Sequence, residues 1–489
     1  GKPEFEDVPL TGEAFPHDHA KLPAEIPQTG DRGIRLADVV NGKNTLEEFT
    51  AQLTDYDLSC IIRGEGMGSP KVTAGTAAAF GGVSDTLTAL GIPCACCDDG
   101  PSGMRLDCGT KAFSLPNGTL LASTFDRPLM TELFTFMGLE MHTNQVDCLL
   151  GPGMNIHRHP LNGRNFEYFS EDPYLTGEMA SAELAGLHST GAEGTIKHFC
   201  GNNRETRRHF LDSVISERAL REIYLRGFEN AVKKGGAKSV MTTYGQVNGV
   251  WTAGNYDLVT GILRDDWGFD GFTMTDWWAN INRRGKAPDK SDFAAMAMAQ
   301  NDVYMVTADG AACNDNTLDS LKSGELTRGE LQRNAMNILR FLTTTHAMKR
   351  VMGCDDETEI INRPADAGDV DSTDIEFHDI DEDLTLDLTG ITTEKGSSYA
   401  FGLNVSKPGV YKVTLTASST LSELAQTSVS IFALGSPCGM FTFNGTGGAP
   451  VSQTKDVKCL SNFMPIRLYF GGSGLKTQSI RFELKERRT

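Results

Sequence analysis

The sequence predicts an α/β protein: a (β/α)8-type TIM barrel followed by a C-terminal antiparallel β-sandwich. Three observations carry that prediction. Between residues 36 and 353, short apolar runs recur with amphipathic segments between them, the pattern of strand–helix units around a parallel sheet. An acidic stretch without period, Glu357 to Asp383, comes next. After it, apolar and polar residues alternate with the period of two that marks half-buried strands.

Residues 1–35 carry five prolines and mixed charge without period, so they read as a linker or wrapping arm. The barrel is drawn over residues 36–353. Its strands are expected at Cys60–Ile62, Ile92–Cys97, Val146–Leu150, Gly194–Phe199, Lys238–Thr242, Phe272–Thr275 and Val303–Val306. Seven runs at this spacing favour an eight-fold barrel with some irregularity. Ser216–Leu225 has apolar positions three and four apart, as a helix requires, and the last barrel helix is expected over Arg328–Val351. An acidic linker is drawn at 354–374 and a β-sandwich accessory domain at 375–489. Strand patterns there start at Leu384, Val410, Thr427 and Ser479. Tyr399, Phe401, Tyr411, Phe441 and Phe443 fall in or beside those patterns, where aromatics serve as core more often than as a ligand platform. The domain is therefore expected to buttress rather than to bind a ligand.

The chain has 489 residues, 39% hydrophobic and 22% charged, with a formal net charge of −19. That charge argues against nucleic acid and anionic membranes as partners. No apolar run approaches the roughly 18 residues that span a bilayer. The first residues hold no signal-peptide core, and a start at Gly1 without Met reads as a chain trimmed, cleaved or cloned from a longer one. Eleven cysteines, three of them at Cys94, Cys96 and Cys97, suit buried reduced thiols and a cytoplasmic location better than a disulfide framework. The lone Cys94-x-x-Cys97 lacks a second pair, so neither metal nor cofactor is expected.

In a parallel barrel the reactive side chains stand where strands end. In order, the strand ends offer Asp99, Arg164, Lys197, His198, Tyr244 and Asp276. The loop from Leu150 to Pro173 is too polar for core and too rich in Gly and Pro for a flexible linker. Asp276, stepping off Gly268–Thr275 and followed by Trp277 and Trp278, is placed to attack an anomeric carbon beneath a ring stacked on an aromatic face; its plainer reading is a helix cap. Lys197-His198 offers two long donors to vicinal hydroxyls, against a plainer pairing with a carboxylate and a core histidine.

Taken together, these segments resemble glycoside hydrolase family 3, in its multidomain β-glucosidase-like type. Six motifs occur in family order over most of residues 36–350. The resemblance implies that Asp276 is the nucleophile that forms a covalent glycosyl-enzyme. Asp99, in Asp99-Gly100-Pro101-Ser102-Gly103, would grip sugar hydroxyls together with Arg164, Lys197 and His198. Tyr244 would hydrogen-bond the nucleophile, and Trp277 would line the substrate site. Arg207 or Arg208 would lower the nucleophile's pKa, with the choice left open. Glu167, Glu171 and Asp172 are read as holding the loop's shape.

A retaining glycosidase needs a second carboxyl group to protonate the leaving group. In multidomain members that acid comes from an α/β-sandwich domain, which the all-β pattern here does not supply. The acid/base therefore stays unassigned. Three sources remain open: an N-terminal α/β-sandwich domain or separate chain, as in the reversed-domain-order subgroup; His209 with Asp212; or a Glu of the β-domain or a linker. The leading reading is a retaining exo-acting glycosidase that releases a terminal non-reducing sugar, β-D-glucose first, with β-xylosides and α-L-arabinosides next. Readings of other classes are a non-catalytic carbohydrate-binding subunit and a barrel lyase using Lys197 as a Schiff base. A carbohydrate substrate is the expected partner, and homo-oligomerisation is left open.

Overall fold

Eight short strands, buried along both faces, close into one barrel: β1 Arg63–Gly66, β2 Ala78–Gly81, β3 Cys94–Asp99, β4 Cys148–Leu150, β5 Glu193–Phe199, β6 Ser239–Thr242, β7 Phe272–Met274 and β8 Tyr304–Thr307. Their order in the sheet is β7-β6-β5-β4-β3-β2-β1-β8. A parallel bridge from Met274 to Val303 joins the two ends. The computed structural model describes residues 22–67, 69–73, 75–106, 112–283, 285–358, 375–433 and 436–487. They fall into two units, one drawn from Gly1–Glu65, Ala79–Met104 and Phe113–Thr358, the other from Gly66–Ala78, Arg105–Ala112 and Glu359–Thr489.

The strands differ from the expected set in two places. Cys60–Ile62 is not a strand. Thr54 and Asp57 form a capping box that starts the helix Asp55–Ile61, so this apolar trio is the end of a helix and β1 begins only at Arg63. The extra strand, β2, is Ala78-Ala79-Phe80-Gly81, whose small residues give little β signal. No helix is found among the described residues between β1 and β2, so strand–helix alternation fails at this one step.

The final barrel helix is also split. Thr343, Thr344 and Thr345 each turn a hydroxyl back to the carbonyl three residues before. The helix Arg328–Leu342 ends there, and Thr345 caps the next one, His346–Met352. Residues 22–34 form neither helix nor strand. Ile26 is tied by its N–H and carbonyl to the Gln332 side chain. Residues 1–21 of the predicted arm and residues 359–374 of the predicted linker lie outside the described residues.

The second unit's strands are β9 Phe377–Ile380, β10 Asp383–Asp387, β11 Ser398–Val405, β12 Gly409–Ser419, β13 Gln426–Ala433, β14 Ser436–Asn444, β15 Val451–Cys459, β16 Phe463–Phe470 and β17 Leu475–Arg487. They form two sheets, β9-β11-β16-β13-β14 and β10-β17-β12-β15. Alternate residues of both meet in one core that includes Phe401, Tyr411, Phe441, Phe443 and Phe482, with Tyr399 packed against it. The aromatics read as core are core. The sandwich is not purely antiparallel, because edge strand β9 pairs parallel to β11. Gly402 permits that pairing: a Cβ there would lie 2.4 Å from the Phe377 ring.

Candidate active site

The barrel's register brings the candidate residues to one rim. Asp99 is level with Leu150 across β3 and β4. Lys197 is level with Met241, and Met241 with Met274. Tyr244 and Asp276 each stand two residues beyond the ends of β6 and β7. Side chains distant in sequence thus converge at the C-terminal ends of the strands, the face where barrels carry their chemistry.

Asp99 accepts a hydrogen bond from Lys197 Nζ at 2.7 Å. Gly100 then turns the chain away sharply: its φ is +138°, and a Cβ would sit 1.8 Å from the Gly103 carbonyl oxygen. That turn demands glycine. Lys197 is buried while Asp99 is half-buried, so the pair presents its carboxylate outward. Held in this ion pair, Lys197 is not arranged as the free amine that a Schiff-base mechanism needs.

His198 is buried and positioned from three sides. Asn155 clamps its backbone, accepting from the His198 N–H at 2.9 Å and donating to its carbonyl at 2.9 Å. The Tyr168 hydroxyl lies 3.3 Å from Nδ1 and itself accepts from Asn202 Nδ2 at 2.9 Å. Burial, then the charges of Arg164, Lys197 and Arg208, hold the imidazole well below its ordinary pKa, so the ring is neutral at pH 7. Its Nε2 faces Asp276 Oδ2 at 3.8 Å.

Asp276 is 7% exposed and is not a helix cap, for the next helix begins only at Phe293. Its Oδ1 accepts the Trp277 N–H at 2.8 Å. Its Oδ2 is buried without a hydrogen-bond partner. Burial raises the carboxyl's pKa, offset in part by Arg164, the Trp277 amide, Lys197 and the Tyr244 hydroxyl. Arg164 is therefore the strongest cationic influence on this carboxylate. Of the two arginines left open, Arg207 is exposed, whereas Arg208 stacks 4.6 Å over the Tyr244 ring and pairs with Glu205. Tyr244 is buried, and Trp277 is half-buried beside the carboxylate.

Arg164 is oriented by an ion pair from its Nε to Glu167, and Asp172 caps the helix Pro173–His188. Both acidic residues hold the loop's shape. Glu171 is exposed. His209 packs its ring 4.1 Å from Tyr244, but Asp212 is exposed and accepts from the Gly249 N–H. No hydrogen bond or ion pair joins His209 to Asp212. A cavity of about 700 Å³ opens beside Arg164, lined by Arg158, Leu161, Gly163, Asn203 and Glu205 among others.

Sequence reasoning missed Asn155, Tyr168 and Asn202, which orient His198. Asn155 and Tyr168 lie in or beside the Leu150–Pro173 loop, so the loop itself was the signal, though not the individual roles.

Residues 31–341 match the glycosyl hydrolase family 3 N-terminal domain. The chain belongs to glycosyl hydrolase family 3. It is 62% identical over 481 residues to a β-glucosidase of Ruminococcus albus, covering 98% of this chain and 51% of that one. It is 37% identical over 268 residues to an exo-α-(1→6)-L-arabinopyranosidase of Bifidobacterium longum, covering 53% of this chain and 34% of that one. Among solved structures, a β-glucosidase from Paenibacillus barengoltzii is 45% identical with a TM-score of 0.67, covering 95% of this chain and 50% of that one. This family 3 chain spans about half the length of these two β-glucosidases. Among its described residues, no helix is long and apolar enough to cross a membrane.

Proposed function

We propose that this chain supplies the sugar-binding site and nucleophile of a retaining, exo-acting β-glycosidase, with β-D-glucosides as the first substrate class. The observation that carries the reading is Asp276: a buried carboxylate at a strand end, one oxygen held by a backbone amide and the other, Oδ2, free of hydrogen bonds. Oδ2 attacks the anomeric carbon as the glycosidic C–O bond breaks, the leaving oxygen takes a proton from the acid, and water later hydrolyses the glycosyl-aspartate to release the sugar and restore the carboxylate. The Asp99–Lys197 pair and neutral His198 bind hydroxyls of the sugar, Arg164 contributes its fork and its charge, and Trp277 borders the ring. The relatives' names, β-glucosidase and exo-α-(1→6)-L-arabinopyranosidase, support glucosides first and keep arabinosides and xylosides as the second panel.

The acid/base is supplied from outside this chain, by a further domain or a second chain. The half-length coverage of the β-glucosidases supports that source, and the separation of Asp212 from His209 weighs against an internal His–Asp pair. Cys60, Cys96, Cys97, Cys148, Cys200 and Cys459 are buried, which supports the cytoplasmic setting that buried reduced thiols suit.

The test is hydrolysis of a panel of 4-nitrophenyl glycosides by this chain, with Asp276→Asn as control. Activated leaving groups tolerate a missing acid. Turnover of the glucoside, lowered roughly 1,000-fold or more by the substitution, together with labelling of Asp276 by a 2-deoxy-2-fluoroglucoside, is the expected result. Turnover that survives Asp276→Asn, or labelling of another residue, overturns the assignment.

A further inference from the structure

A second group of ligating side chains sits at the opposite end of the barrel from Asp99 and Lys197. His142 lies in the last turn of the helix Arg127–Thr143, His346 opens the helix His346–Met352, and Asp355 follows that helix. Their neighbours fix the location. Asp147, which just precedes β4, accepts from the Ala347 N–H at 2.8 Å. The carbonyl of Thr190, in the turn before β5, lies 2.8 Å from His346 Nε2.

A carbonyl oxygen only accepts, so His346 Nε2 donates to Thr190, and Nδ1 is the nitrogen turned to Asp355 Oδ1, 2.6 Å away, where a bound ion would displace its proton. His142 is arranged in parallel: Nδ1 meets the Thr358 hydroxyl at 2.6 Å, and Nε2 faces Asp355 Oδ2 at 3.1 Å. The two rings stack with centroids 3.9 Å apart. All three ligating atoms lie within 4.8 Å of one another, and the side chains are 9%, 5% and 14% exposed. Two imidazoles, each with one nitrogen fixed by an outer partner and the other turned to a shared carboxylate, make the arrangement in which a second shell orients metal ligands.

We propose that His142, His346 and Asp355 form a binding site for a divalent transition-metal ion, zinc first, at the foot of the barrel. Two nitrogens and one oxygen suit that ion, with water completing a tetrahedron. Ligands in such a site stand roughly 3.3 Å apart, as zinc–ligand bonds of about 2.0–2.2 Å require. The rings now stack at an interplanar angle of 28°, so binding the ion requires one imidazole to turn until both nitrogens converge on it. Arg350 lies 3.6 Å from Asp355 Oδ2 but 3.2 Å from Asp147, so it keeps a carboxylate partner when the ion takes Asp355. The ion would tether the segment leaving the barrel at Asp355 to the helix that ends beyond His142. No local motif announces the site, because its ligands come from three separate points of the sequence.

The test is calorimetric titration of the chelator-treated full chain with zinc, followed by the visible spectrum of its cobalt-substituted form. The expected result is one zinc ion per chain, a higher unfolding midpoint with zinc, and tetrahedral cobalt bands. His142→Gln and Asp355→Asn should each abolish the spectrum. Thr358→Val touches only the outer partner and spares the barrel's packing, and it should weaken zinc about 10-fold or more. Absence of stoichiometric zinc binding overturns the proposal, as does unchanged binding in folded His142→Gln and Thr358→Val.

Discussion

His198 Nε2 stands 3.8 Å from Asp276 Oδ2, within reach of its charge but beyond hydrogen-bond distance. The gap matters because a closer imidazole would occupy the oxygen proposed to attack. Asn155 and Tyr168 keep the ring at that distance, acting on its backbone and on Nδ1 respectively. Neutral, oriented and one step short of the carboxylate, His198 keeps Nε2 off that oxygen, as its proposed role of donating to a sugar hydroxyl requires.

Tyr168→Phe tests that orientation. The substitution keeps the ring but removes the hydroxyl beside His198 Nδ1 and the acceptor of Asn202. A lost hydrogen bond of about 1–2 kcal/mol corresponds to a fall of roughly 5- to 30-fold in kcat/KM. Steady-state kinetics on the preferred 4-nitrophenyl glycoside measures it, with circular dichroism as the check on folding. Unchanged kinetics would mean that the clamp from Asn155 alone positions the histidine.

The pH profile follows from the burial of Asp276. Its pKa is raised above the ordinary 3.8, and the proposed nucleophile acts as the carboxylate. Activity should therefore be lost, as pH falls, at a higher pH than an exposed aspartate would give. Removing Arg164, the largest influence opposing the rise, should push that acid limb higher still. The same shift fixes a stability sign. A carboxyl whose folded pKa is raised costs stability once ionised, so Asp276→Asn should unfold at pH 7 at a midpoint no lower than the parent. A clearly lower midpoint would show that Asp276 supports the fold rather than the chemistry.

Much of this was legible because a parallel barrel writes its chemistry at strand ends. Asp99, Lys197 and Asp276 each follow or end an apolar run, and the strands themselves announced where the side chains converge. The missing elements lacked that contrast. β2 is built of alanine and glycine around one phenylalanine, and Cys60–Ile62 carries a strand's composition inside a helix fixed by the Thr54–Asp57 box. Periodicity cannot separate those cases. Nor could it reveal the Asn155 clamp, which depends on two loops meeting in space, or the pairing of His142 with His346, 204 positions later in the sequence.

The β-sandwich offers a packing prediction. Phe401 is fully buried, with its ring 5.8 Å from Tyr399 and edge-on to Phe482 at 6.1 Å. Phe401→Ala should destabilise the sandwich by about 3–5 kcal/mol, the transfer cost plus that of the cavity. Guanidinium denaturation followed by near-ultraviolet circular dichroism measures it. Phe401→Leu, which retains most of the volume, should recover the larger part.

His188 closes the helix Pro173–His188, and its Nε2 lies 3.0 Å from Glu193 Oε2. Burial lowers the imidazole's pKa, but the hydrogen bond and charge of Glu193 outweigh it, and the net direction is upward from 6.5. The position at a helix C-terminus adds to the same preference for the cation. A histidine whose folded pKa is raised contributes stability fully below its unfolded value and loses it as pH rises through the folded one. The side chain is 30% exposed, so solvent screens the pair and its worth is on the order of 0.5–1 kcal/mol. The chain should lose that stability as pH climbs from about 6.5 through the folded value, and His188→Gln should remove this part of the dependence. Paired unfolding curves at pH 6 and pH 8.5 decide it: a parent and variant that differ equally at both values would show that His188 packs without titrating.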